Sequence, residues 1–202
     1  MKVDLHVHTN CSDGRNTPIE MVAAAKRAGL GAIAITDHNT VDGWKKLKLR
    51  SNGFIILPGV ELTTDKGHVL LVGIEDMPPT KVLDELMDWV KDRHVFAAAA
   101  HVYDLPFRDP IGKPAFEIFD FVEAINGRTP RHLCRKAVEE AVKRGIKYLC
   151  NSDAHSVKGL GKFYNNVPGE TAEEIMDNLL KGNFEPRLKL PGPLDFMTER
   201  LF

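Results

Sequence analysis

The chain has 202 residues, 43% of them hydrophobic and 27% charged, with a formal net charge of −1. This length suits one domain with a sizeable core, and the near-neutral balance excludes an overall basic field that would draw in duplex nucleic acid or an anionic membrane. The three cysteines, Cys11, Cys134 and Cys150, form no CxxC pair, the N-terminus has no apolar leader, and no run approaches the roughly 18 apolar residues of a membrane span, so the sequence reads as a soluble cytoplasmic protein.

Short apolar runs alternate with helical segments along the chain. Strands are expected at 2–7, 31–36, 54–60, 68–74, 94–100, 120–125 and 147–151, and runs this apolar suit a parallel sheet covered on both faces. The first helix is announced by Thr17-Pro18-Ile19-Glu20, which offers an N-cap, a first-turn proline and a capping glutamate, with Gly29 as its stop. Residues 58–74 read as a hairpin turning through Thr64-Asp65-Lys66-Gly67. Residues 80–92 place Val82, Leu83, Leu86 and Val90 on one helical face. Thr129-Pro130 opens a further helix that Gly145 stops, and Thr171 to Glu174 repeats the capping pattern. The tail over 183–202, with Pro186, Pro191 and Pro193, reads as an extended wrap. Alternating strand and helix implies right-handed crossovers, and the absence of GxGxxG and GxxxxGK[ST] lowers a nucleotide-binding open sheet against a closed barrel.

The chemistry-bearing residues fall at the ends of these strands. His6 and His8 end the first, Asp37 and His38 the second and Glu61 the third; His68 begins its hairpin partner, His101 follows the alanine run, and Asp153 and His155 follow the last. In a β/α barrel such ends converge on one mouth. In His6-Val7-His8 the period of two puts both imidazoles on one side of the strand, so they can share an ion, and Asp153-Ala154-His155 repeats the spacing. Glu61 interrupts an apolar strand, where an unpaired carboxylate is costly and a metal partner is the natural account. Asp37 reads as a cap or as a partner that orients an imidazole. Glu61, Asp153 and His155 stand as the catalytic candidates, and Arg108, Asn126 and Arg128 as the groups that would grip a substrate.

The segments LHVHTNCSDG, ITDHNT, PGVELTT, GHVLLVGI, VEAINGR and NSDAH resemble the motifs of the PHP superfamily, the polymerase and histidinol phosphatase domain. The resemblance runs from residue 3 to about 168. It implies a distorted seven-stranded parallel, TIM-like β/α barrel and a site for two or three divalent ions, zinc, manganese or iron. By motif, one ion takes His6, His8, Glu61 and Asp153; a second takes Asp13, His38 and His155; a third takes Glu61, His68 and His101. The implied activity is hydrolysis of a phosphomonoester or small phosphodiester by a hydroxide bridging the ions, on a phosphorylated metabolite, a nucleotide or a short oligonucleotide. Competing readings are amidohydrolase-like hydrolysis of a non-phosphorus substrate and a non-catalytic, metal-stabilised interaction module.

Overall fold

The computed structural model describes residues 1–48, 53–105 and 108–187. In chain order its elements are β1 (Lys2–Val7), α1 (Pro18–Arg27), β2 (Ala32–Ile35), α2 (Asp42–Lys45), β3 (Ile55–Thr64), β4 (Gly67–Val72), α3 (Leu83–Lys91), β5 (Phe96–Ala99), α4 (Ala115–Ile118), β6 (Phe121–Asn126), α5 (Arg131–Arg144), β7 (Lys147–Asn151), β8 (Asn165–Asn166), α6 (Ala172–Leu180) and β9 (Glu185–Pro186). The expected tail lies outside the described residues from 188 onward.

Local chemistry accounts for the helix ends. Thr17 and Thr171 both form complete capping boxes, with Glu20 and Glu174 respectively. Gly145 closes α5 at φ 67°, a left-handed conformation that glycine adopts without a Cβ penalty. The start of α5 differs from expectation: Pro130 precedes it with no side-chain cap, and the Thr129 hydroxyl instead accepts a bond from Arg108 Nη2 at 3.1 Å.

The sheet corrects the expectation of seven parallel strands. Among the described residues it has nine, in the order β7-β6-β5-β4-β3-β2-β1-β8-β9. β1, β2 and β3 run parallel, as do β5, β6 and β7, but β4 is antiparallel to both β3 and β5, and β8 is antiparallel to β1 and β9. The physical reason is the connection between β3 and β4. Only Asp65 and Lys66 separate them, which leaves no room for the crossover a parallel pair requires.

The seam between β7 and β1 shows how the sheet nearly closes. β8 enters it at the start of β1, pairing Lys2 with Asn166 and Val3 with Asn165. The Asn165 side chain then imitates a strand toward β7: its Oδ1 accepts from the Cys150 N–H at 2.9 Å and its Nδ2 donates to the Cys150 carbonyl at 3.1 Å. Further along, β1 and the end of β7 meet directly, where the His8 N–H donates to the Ala154 carbonyl at 2.9 Å. Between these points side chains bridge: Asn151 Oδ1 accepts from the Leu5 N–H and Asp4 Oδ1 from the Ser152 N–H, both at 3.1 Å. One apolar cluster joins Val3, Leu5, Ala34, Leu57, Phe96 and Leu149 from the strands to Ile175 and Leu179 of α6. Among the described residues no helix is long and apolar enough to cross a membrane.

Candidate metal centre

Two irregularities in the ladders lie at the site. The β1–β2 register shifts between Asp4 and Val7, and the β6–β7 register shifts between Glu123 and Ile125. Bulges of this kind re-aim side chains, and His6 and Asn126 sit on or beside them. Among the described residues three non-glycines hold positive φ, Asn39 at 53°, His101 at 29° and Asp153 at 53°, and two of them are ligand candidates. Backbone strain of this sort persists only where the surroundings enforce it.

The structure brings all nine ligand candidates into one pit. Glu61 is its hub. β3 runs past it to Thr64, so it lies inside the strand rather than ending it. Its Oε2 lies 3.0 Å from His6 Nε2, 3.2 Å from His8 Nε2 and 3.2 Å from His38 Nδ1. Its Oε1 lies 3.0 Å from His68 Nδ1 and 2.8 Å from His101 Nε2. Asp153 Oδ1 is 3.4 Å from His6 Nε2 and 3.2 Å from His8 Nε2. On the outer side, Asp13 Oδ2 is 3.1 Å from His155 Nε2 and 3.6 Å from His38 Nε2.

Among the described residues three groups present ligand atoms within 4.8 Å of one another: His6, His8, Glu61 and Asp153; His8, Asp13, His38 and His155; and His38, Glu61 and His68. The first matches the inner set implied by the motifs. The second adds His8 to the outer set. In the third, His38 stands where the motifs implied His101, which touches the same Glu61 oxygen from outside the group.

The donor chemistry fits divalent ions. Among the described residues both ring nitrogens of the buried His8 and the Nδ1 of the buried His101 have no hydrogen-bond partner, although His8 Nε2 lies between two carboxylates. Such atoms are expensive to bury unless a cation satisfies them. Imidazole and carboxylate without thiolate suit zinc, manganese or iron.

Electrostatics agrees. Burial lowers the pKa of His6, but Asp153, Glu123 and Glu61 overcome this and hold it well above the ordinary value. Burial opposes His8 in the same way, and its contacts with Asp153 and Glu61 leave it at about 9. Burial would raise Glu61 and Asp153, yet His6 and their other partners hold both well below the usual carboxylate range. His38 goes the other way, pushed down to about 4 chiefly by burial. The pit is therefore an excess of buried carboxylate that draws in positive charge.

The three substrate-binding candidates fare differently. Arg128 reaches the site and its Nη1 lies 2.8 Å from both ring nitrogens of His155. Arg108 also reaches it, but its guanidinium is engaged by Asp153 and Asp104 and donates to Asn126 and Thr129. Asn126 is fully buried; its Nδ2 donates to Glu123 and Asp153, and its Oδ1 accepts from the Arg128 N–H. Arg108 and Asn126 therefore both contact Asp153. Asp37 departs from its expected role. Rather than orienting an imidazole, it accepts from the Thr9 N–H, the Thr9 hydroxyl and the Ser12 hydroxyl, each at 2.7 Å, and so holds the loop that carries Asp13.

Sequence reasoning missed Glu123 and Asp104, both buried beside the ligands. Glu123 carried the same signal as Glu61, a lone carboxylate in an apolar strand.

Comparison with known proteins gives a consistent answer. The family model described as PHP domain matches residues 4–104, and a second, described as PHP-associated, matches residues 131–184. The uncharacterized protein MJ1587 of Methanocaldococcus jannaschii is 32% identical over 142 residues, covering 62% of this chain and 82% of that protein. The 3′,5′-nucleoside bisphosphate phosphatase of Chromobacterium violaceum is 31% identical over 83 residues, 38% of this chain but only 29% of the phosphatase. In fold, the chain is similar to a two-domain protein of Bacteroides vulgatus containing a predicted PHP-like metal-dependent phosphoesterase, with a TM-score of 0.72 at 20% identity over 98% of this chain and 69% of the other. With residues 4–104 matched and the histidines and carboxylates of those motifs gathered in one pit, the chain belongs to the PHP domain family.

Proposed function

We propose that the protein hydrolyses a phosphomonoester or small phosphodiester in this pit, with two or three divalent ions held by the nine ligand candidates. The observation that carries the reading is His8, a buried imidazole with no hydrogen-bond partner among the described residues that belongs to both the inner and the outer ligand group. His6, His8, Glu61 and Asp153 hold the inner position. His8, Asp13, His38 and His155 hold the outer one, and Glu61 and His68 serve a third together with His38 or His101. Bound there, divalent ions would polarise the phosphoryl group and ease deprotonation of the attacking water.

The chain's own residues do the rest. Glu61, Asp153 and His155 frame the reacting centre. Arg128, lying against His155, is the cation that faces a phosphate oxygen of the substrate. Arg108 neutralises Asp104 and Asp153 from within, which keeps Asp153 fixed toward His6 and His8. The substrate class is a phosphorylated metabolite, a nucleotide or a short oligonucleotide, and the similarity to a nucleoside bisphosphate phosphatase over 38% of this chain supports it. Three free thiols suit a cytoplasmic setting.

The test is metal analysis of the purified protein joined to a panel of an aryl phosphate, nucleotides, short oligonucleotides, amides and lactones. Turnover of phosphate esters that stops with a chelator and returns with zinc or manganese is the expected result. Turnover of the amides or lactones alone, or bound metal with no turnover, refutes the reading.

A further inference from the structure

Beneath the pit, Glu123 occupies a position that none of the ligand groups includes. It is buried, and four donors converge on its two oxygens. Oε1 lies 2.9 Å from His6 Nδ1 and accepts from Asn151 Nδ2 at 2.9 Å. Oε2 accepts from Asn126 Nδ2 at 2.8 Å and from the His101 N–H at 2.9 Å.

Three of these donors cannot reverse their role. A backbone N–H only donates. The two amides are held in orientation by backbone N–H groups on their other ends. The Leu5 N–H donates to Asn151 Oδ1 at 3.1 Å, and the Arg128 N–H donates to Asn126 Oδ1 at 2.9 Å. An amide whose oxygen is claimed by a backbone donor presents its NH2 at the far side. Asn165 Nδ2 reinforces the first of these, donating to Asn151 Oδ1 at 2.9 Å. A carboxylate that accepts at both oxygens from such donors is the ionised form, so the remaining contact is an N–H of His6 pointing at Oε1.

We propose that Glu123 is a positioning residue that keeps a proton on His6 Nδ1, so that Nε2, the nitrogen beside Glu61 and Asp153, is the one left to ligate an ion. The inference deepens the metal-centre reading and rests on it. A metal-bound imidazole that donates its other N–H to a carboxylate is both oriented and made more basic. Here the carboxylate is in turn oriented by Asn151 and Asn126, so backbone amides of β1 and of the segment after β6 decide which nitrogen of His6 carries the proton. The same carboxylate takes the His101 N–H, where φ is 29°, and so also holds the backbone turn that aims His101 at Glu61.

The experiment uses zinc as the probe, with Glu123→Gln beside the wild type. Zinc affinity is read by chelator competition and the His6 tautomer by histidine 15N spectroscopy of the zinc-loaded protein. The wild type should show a protonated Nδ1 on His6. The variant presents an NH2 to donors that need an acceptor, and its tightest zinc affinity should fall by about 10–100-fold with the His6 signature altered. A wild-type protein that carries the proton on His6 Nε2, that takes up no zinc, or whose affinity and spectrum are unchanged in the variant overturns the proposal. If the variant does not fold, the wild-type spectrum decides alone. None of these readouts involves substrate. A protein that turned over no phosphate ester would refute the hydrolytic reading and leave the role of Glu123 to be judged separately.

Discussion

Replacing Asp37 with alanine should loosen the outer half of the metal centre without touching any proposed ligand. Asp37 is fully buried, and its carboxylate takes three hydrogen bonds of 2.7 Å from Thr9 and Ser12. Thr9 is itself fully buried, so Asp37→Ala strands its N–H and its hydroxyl away from water, while Ser12 is partly exposed and can rehydrate. Each stranded donor costs about 1–3 kcal/mol, which makes a loss of about 4 kcal/mol the central expectation for the two. In a domain of this size that corresponds to a melting temperature lowered by about 8–16 °C. The loop released is the one from which Asp13 reaches His155 and His38, so occupancy of the outer ion should fall as well. Calorimetry in a chelator gives the first quantity, and zinc stoichiometry by elemental analysis gives the second. Gly43→Ala is an independent companion, because a Cβ there would lie 2.0 Å from Asp37 Oδ2 and would push the carboxylate away without deleting a polar group. If Asp37→Ala melts within about 2 °C of the wild type and keeps its full zinc complement, the loop is not held in the way described.

Three further outcomes follow from the same geometry. Glu61→Gln, at the carboxylate that five imidazoles surround, should reduce phosphatase turnover by at least about 100-fold and metal content with it; full activity in this variant contradicts the site. In a chelator, stability should fall as pH rises. His8 has a folded pKa near 9 against 6.5 unfolded, so its contribution is fully present below 6.5 and is lost as pH passes through 9, a change of about 3 kcal/mol readable by urea denaturation. Zinc replaces that proton, so the loaded protein should not show this decline, and a chelated protein that grows more stable toward pH 9 rules the account out. Finally, Cys11 is partly exposed with Lys46 Nζ 3.1 Å from its sulfur, whereas Cys134 and Cys150 are buried and burial pushes their thiols up, Cys134 to about 12. A disulfide reagent at pH 8 should modify one thiol quickly and the other two only on unfolding.

Much of this was present in the linear chain. The capping boxes at Thr17 and Thr171, the apolar strand runs and the spacing of His6, His8, Asp153 and His155 are local properties, set by hydrogen bonds over three or four residues and by a side-chain period of two. The lone charge of Glu61 in an apolar strand was equally plain. Tertiary structure decided what depends on distant partners. The hairpin that reverses β4 was legible in its turn, but its antiparallel pairing with β5 was not, and the insertion of β8 beside β1 came from Asn165 imitating a strand toward β7. The sharing of His8 and His38 between ligand groups, the grip of Asp37 on its loop and the place of Glu123 under His6 join residues as far apart as His8 and His155. No local rule sets which buried donor meets which acceptor across such a separation; only the closing of the sheet around them does.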